Sequence, residues 1–140
     1  LEFDVRLWGI GWDASSALRG RFRTEPVHGL KKTRIYGAAA VSLNLQSEHY
    51  QRDGLTCRPF EVAASGGFCL TEARRDLSRY FEPGVERVAF EGIDDLKRKV
   101  AYYLAHEDER GQIAALARAR ALREHTYDHR VRQVLDAIGF

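Results

Sequence analysis

The sequence predicts an α/β fold, a parallel sheet with helices on both faces. Three observations carry this expectation. Short apolar runs (Ala40 to Leu45, Phe68 to Thr71, Val85 to Phe90) alternate with stretches of helical period, the pattern of parallel strands joined by crossover helices. A loop containing Gly54 leads into a proline-started helix and then straight into a strand. From Asp94 the chain keeps a helical period to its end.

Taken in order, Phe3 to Trp8 alternates enough for a first strand, which Gly9-Ile10-Gly11-Trp12 ends. Residues 13–29 hold no sustained period and read as loop with one helical turn. Lys31 to Ala39 suits a short helix with Ile35 and Ala38 or Ala39 inward, and Ala40 to Leu45 is the second strand. A polar loop from Gln46 to Thr56 follows. Pro59 suits the first position of the next helix, where its missing N–H costs nothing, and Arg58 before it is pushed out of the α region into the starting turn. Gly66-Gly67 accepts the left-handed cap that stops this helix, and Phe68-Cys69-Leu70 is a buried strand. Arg74 to Phe81 reads as helix, with Leu77 and Phe81 on one face, and Val85 to Phe90 as strand after the turn at Glu82-Pro83-Gly84. Asp94 or Asp95 caps a helix with the stripe Leu96, Val100, Tyr103, Leu104. Glu107 to Glu124 is a second helix with Ile113, Leu116 and Ala117 inward. Thr126 caps a third, along which Val131, Val134, Leu135 and Ile138 keep the 3.6-residue period.

Composition narrows the function. A chain of 140 residues fits one domain, residues 1–140. A net charge of +2 with no basic-aromatic motif argues against nucleic acid as a partner. No apolar run approaches the ~20 residues of a membrane span, and no secretory leader opens the chain. Cys57 and Cys69 stand in no metal or redox spacing and read as reduced thiols of a cytoplasmic protein. The arginines of residues 118–132 read as a solvated helix face, or as a docking face for a partner or the inner side of a membrane. There is no methionine, and the chain opens directly in a strand, so the expectation is a C-terminal piece of a longer protein.

The chemistry gathers between Asp53 and Thr71. In parallel sheets ligands bind outside the carboxyl ends of the strands, where the tip at Gly9–Trp12, the 46–56 loop and the loop after Thr71 all fall. A helix start favours phosphate, and Arg58 at its mouth offers a planar fork for paired phosphate oxygens. Glu61, about one turn in, suits two ribose hydroxyls; a carboxylate there also simply complements the helix dipole. Asp53 suits the hydroxyls of a second ring. Cys57 is no convincing nucleophile, since no histidine stands near it in sequence. His49 either touches the ligand or stands solvated, and His125/His129 straddle the Thr126 cap, which argues against a metal site.

Several words of the sequence resemble CgeB-like glycosyltransferases, which themselves resemble the C-terminal half of retaining GT-B enzymes (glycosyl transferases group 1). They are Trp8-Gly9-Ile10-Gly11-Trp12, Leu43-Asn44, Asp53-Gly54-Leu55, Arg58-Pro59-Phe60-Glu61 and Ala64-Ser65-Gly66-Gly67-Phe68, then Tyr102-Tyr103-Leu104 and His125-Thr126-Tyr127-Asp128-His129-Arg130. Together they span nearly the whole chain. The resemblance implies a bacterial, cytoplasmic hexosyltransferase-like enzyme with a Rossmann-like nucleotide-sugar-binding domain whose first strand and helix precede Leu1. The acidic pair separated by seven residues falls on Asp53 and Glu61, with Glu61 on the nucleotide ribose and Asp53 near the donor sugar. Backbone amides of Gly54, Leu55 and Thr56, with Arg58, would hold the diphosphate, and Asn44 and His49 would complete the donor pocket. No metal or other cofactor is required. The partners implied are a nucleoside-diphosphate sugar, an acceptor, and an N-terminal half that binds it. In the usual strand order 3-2-1-4-5-6, a strand before Leu1 would lie mid-sheet. Its absence leaves Phe3–Trp8 and Val41–Leu45 as edges, so the isolated chain is expected to dimerise, swap segments or pair those strands directly, and to transfer nothing. Two other classes compete. One is a non-catalytic nucleotide-binding or protein-interaction module on the same scaffold. The other, a glycosidase using Asp53 and Glu61, lacks any sign of an acceptor-water site.

Overall fold

The computed structural model describes residues 3–9, 20, 22–23, 25–45 and 54–140. The chain divides into two compact units, residues 1–32 and 33–140. The first holds two short parallel strands, β1 (Leu7–Trp8) and β2 (Phe22–Arg23), paired Leu7 to Phe22 and Trp8 to Arg23. The strand expected from Phe3 is thus reduced to its last two residues, and β2 falls where only loop was expected. Two-residue strands carry no period for a sequence pattern to reveal.

Helix α1 (Gly29–Ala38) runs from the first unit into the second, which continues with β3 (Ser42–Asn44), α2 (Arg58–Ala64), β4 (Cys69–Glu72), α3 (Leu77–Tyr80) and β5 (Val88–Phe90). Three helices close the chain, α4 (Gly92–Ala105), α5 (Glu107–Glu124) and α6 (Tyr127–Ala137). The sheet order is β3-β4-β5, all parallel, with Leu70 opposite both Leu43 and Val88. The expected α/β class and parallel sheet are therefore present.

Because side chains alternate across a strand, this register sorts the core into two layers. Phe68, Leu70, Val88 and Phe90 point to one face and pack with Tyr103 of α4 and with Ile113 and Ala114 of α5. On the other face Ala63 of α2 and Leu77 and Phe81 around α3 pack with Ala117 and Ala121 of α5. Helix α5 therefore serves both layers, and it does so with small residues. Leu116, expected inward, is 47% exposed, because α2 lies against the alanine row one step round the helix. Close approach also explains Gly67: a Cβ there would stand 2.4 Å from the Tyr36 carbonyl oxygen, so no other residue fits.

Other expectations shift by a turn or less. Helix α2 begins at Arg58, with Pro59 second, because the Cys57 carbonyl already accepts from the N–H groups of Phe60 (3.1 Å) and Glu61 (3.0 Å). That early ring holds Arg58 in the helix despite the pre-proline bias. The helix expected over Arg74 to Phe81 is a single turn, although Leu77 and Phe81 do share a buried face. In α4, Tyr103 is buried and Leu96 and Val100 pack against the core, whereas Leu104, one step off that line, is 45% exposed. Thr126 and His129 form a capping box at the start of α6, whose Val131, Val134, Leu135 and Ile138 keep their period but all remain exposed.

Of the two candidate caps for α4, Asp95 is the one that reaches back. Its Oδ2 accepts from the Glu91 N–H at 2.9 Å and from Lys99 Nζ at 2.8 Å, while Oδ1 accepts from Arg98 at 2.7 Å. The Lys99 bond, the Glu91 N–H and Arg98 hold the Asp95 carboxyl at about 2, below the ordinary 3.8. A pKa lowered by folding means stability that is fully present above the unfolded value and lost as pH falls through the folded one. Asp95→Asn should therefore lower the melting temperature at pH 6. The gap to the parent protein should close between about pH 4 and pH 2, as thermal melts across that range would show.

Candidate functional site

The sheet face beneath α2 is polar where an ordinary core would be apolar. Ser42 pairs with Cys69 and Asn44 with Thr71, so these four side chains share that face, and all four are buried. Asn44 and Thr71, both 0% exposed, stand at the carboxyl end of the sheet. The Asn44 Oδ1 accepts from the Thr56 hydroxyl at 3.3 Å, while its Nδ2 has no hydrogen-bond partner among the described residues. A buried amide donor without a partner is costly, of order 1–3 kcal/mol, and is tolerated where something else is to bind it.

The loop and helix start stand over this face. Gly54 is exposed, Leu55 packs with Phe60 against the α2–α3 core, and Thr56 is tied to Asn44. Arg58 opens α2 on the exposed side, and Glu61 is half-buried in its first turn. Both ends of α2 are fixed by arginines from other elements. Arg118 Nε donates to the Ala64 carbonyl at its C-terminus (3.3 Å), and Arg87 Nη2 donates to the Pro59 carbonyl in its first turn (2.8 Å). Asn44, Thr56, Arg58 and Glu61 are thus gathered around one helix start. Asp53 and His49 lie outside the described residues.

Arg87 is the residue that sequence reasoning missed. It is 2% exposed, its guanidinium lies 4.4 Å from the Phe81 ring centroid, and it forms no ion pair among the described residues. The signal was faint: an arginine at the mouth of an apolar strand reads as solvated unless the sheet is known to be covered on both faces. Here in-register pairing puts Ala89 beside Thr71, so the face that Arg87 shares with Ala89 is the one α2 covers.

The cysteines differ. Cys57 is exposed at the cap of α2 without a side-chain cap bond. Cys69 is buried 3.5 Å from the Thr71 hydroxyl, and burial pushes its thiol pKa up despite the nearby Arg87. His125 and His129 are committed to structure. His125 packs against Phe60, Tyr80 and Phe81, its Nε2 faces the Tyr80 carbonyl at 2.9 Å and its Nδ1 faces Arg130 at 2.9 Å. A carbonyl only accepts and a guanidinium only donates, so the ring carries its proton on Nε2. His129 Nδ1 faces the Thr126 hydroxyl at 2.7 Å. Among the described residues no three His, Cys, Asp or Glu side chains converge on a common point. A groove of about 830 Å³ runs along β5 past Ser78, Arg87 and Lys99, and Arg58, Glu61 and Asn44 do not line it. No described helix is long and apolar enough to cross a membrane.

Comparison with known proteins gives one finding. A family model described as glycosyl transferase-like matches residues 1–136. No curated protein and no solved structure matches the chain.

Proposed function

The chain belongs to the glycosyl transferase-like family, and on that premise we propose that it is the donor-binding part of a CgeB-like, GT-B retaining glycosyltransferase. In this reading a hexosyl-type unit leaves a nucleoside-diphosphate sugar. The bond from the anomeric carbon to the β-phosphate oxygen breaks, a bond to the acceptor nucleophile forms, and the acceptor's proton departs. Glu61 accepts from the two ribose hydroxyls, and Asp53 meets the donor sugar. Gly54, Leu55 and Thr56 offer backbone N–H groups to the diphosphate beside Arg58. Asn44 forms the floor, and His49 lies along the donor.

The observation that carries this reading is the gathering of Arg58, Glu61 and Thr56 around one helix start over the buried, half-satisfied Asn44 amide. Charge developing on the departing diphosphate needs fixed donors and cations, which the Asn44 amide and the Arg58 guanidinium would supply. Helix α2 has only seven residues, so its dipole is the smaller contribution and Arg58 the larger. The acceptor half and the parent enzyme's cytoplasmic setting, free or at the inner face of a membrane, belong to the same proposal.

Titration calorimetry with UDP, GDP and their sugars tests it. Saturable binding that competes with free nucleoside diphosphate is expected. A protein-interaction module on the same scaffold would show no saturable binding of any of them, and that result would refute the proposal.

A further inference from the structure

We infer that Arg87 is the fixed positive charge behind the donor diphosphate, a positioning residue whose missing counter-charge is the ligand itself. The inference rests on the donor-binding reading above and adds a residue to it.

Burying an ionised side chain without an opposite charge is strongly unfavourable, so proteins seldom leave one unpaired. Arg87 is 2% exposed, and among the described residues it forms no ion pair and its buried Nε has no hydrogen-bond partner. Burial lowers its pKa from the ordinary arginine value, yet an arginine stays protonated at any working pH. What surrounds the guanidinium does not neutralise it. The Pro59 carbonyl at 2.8 Å and the Phe81 ring face at 4.4 Å offer only partial negative charge. The Cys69 thiol, within reach of the same guanidinium, is kept protonated because burial outweighs the arginine's pull.

The position of this charge gives it a use. Its hydrogen bond to the Pro59 carbonyl ends on the first turn of α2, the turn that begins with Arg58 and carries Glu61. Arg58 adjoins Pro59, whose carbonyl accepts from the Arg87 guanidinium, so both arginines are anchored at the first turn of α2. One is exposed and free to touch a ligand; the other is buried, where its field is weakly screened and its position is set by Phe81. A dianionic diphosphate beside Arg58 would sit in the field of both. Such a device discriminates by charge: it favours diphosphates over neutral nucleosides without contacting either.

Two variants test this from opposite directions. Arg87→Met removes the charge and keeps much of the volume, and Cys69→Asp leaves the arginine in place and supplies an internal counter-charge. Affinities for UDP, inorganic pyrophosphate and uridine are measured by calorimetry, with thermal melts of the unliganded proteins. Both variants should bind UDP and pyrophosphate about tenfold or more weaker while uridine affinity stays unchanged. At least one should melt no lower than the parent, since an unfavourable buried charge has been removed or paired. Unchanged UDP and pyrophosphate affinities in either folded variant would overturn the inference, as would an equal loss for uridine, which marks a merely structural role. The two readings separate cleanly. If UDP binds well and neither variant alters it, Arg87 has no such role and the donor reading survives. If pyrophosphate binding depends on Arg87 but UDP gains nothing over pyrophosphate, the charge device stands and the nucleotide-sugar assignment falls. A parent protein that binds neither refutes both.

Discussion

Glu61→Ala should cost the protein nearly all of its affinity for nucleoside diphosphates. A carboxylate that accepts from two ribose hydroxyls makes two charge-assisted bonds, each worth roughly 1.5–3 kcal/mol. Their joint loss weakens binding by about two to four orders of magnitude. The fold should tolerate the change. Glu61 is only half-buried, and its backbone carbonyl, which the substitution leaves in place, keeps the Ser65 N–H at 3.0 Å and hydroxyl at 2.7 Å. Inorganic pyrophosphate has no ribose and should bind the variant as well as the parent. That contrast distinguishes a ribose ligand from a carboxylate that only steadies the helix. Unchanged UDP and GDP affinity by calorimetry would show the assignment of Glu61 to be wrong.

The largest effect on stability is expected from Phe81→Ala. Phe81 is 1% exposed, its ring lies 5.2 Å from that of Phe60 and 5.6 Å from that of His125, and it packs in one cluster with Ala63, Leu77, Ala117 and Ala121. Truncating such a phenylalanine typically costs about 3–5 kcal/mol, because the walls of the cavity relax only in part. Here the ring also faces the buried Arg87 guanidinium, so up to roughly 2 kcal/mol of cation–π attraction goes with it. Urea unfolding should show a loss at the upper end of that range, with Phe81→Leu falling well short of it. A cost below about 1 kcal/mol for the alanine variant would mean that α2, α3 and α5 do not share the packed layer described above.

Much of this fold was legible because its signals are local. The start of α5 at Glu107 and its end about Glu124 could be read from sequence, since Ile113, Leu116 and Ala117 recur at helical spacing and Thr126 opens the next helix. The strands β3, β4 and β5 were legible as short apolar runs between turn residues, and their parallel pairing followed from the helices between them. Arg58 and Glu61 were legible from the helix start itself, whereas Asn44 and Thr56 entered only through the resemblance to glycosyltransferases.

What sequence missed depended on partners distant in the chain. Leu116 was the natural inward choice on α5 by hydrophobicity, but which face of that helix is covered depends on α2, some fifty residues earlier, and α2 selects the alanines because only small side chains allow it so close. Arg58 was expected outside the helix on a rule about its neighbour, and the Cys57 carbonyl overrode that rule with two hydrogen bonds. Glycine at position 67 could be read as a stop signal, but not as the only residue that leaves room for the Tyr36 carbonyl.

The amino-acid sequence by itself determined the α/β class, the parallel strands and the residues that gather at the start of α2, because each follows from a period, a turn or a spacing within a few residues. Only the tertiary structure decided that Arg87 is buried, that it reaches the Pro59 carbonyl and that no acid pairs with it among the described residues, because burial is a property of what α2, α3 and β4 place around a side chain. A charge is read from one letter, but whether it faces water, an anion or nothing depends on surfaces contributed by segments far apart in the chain.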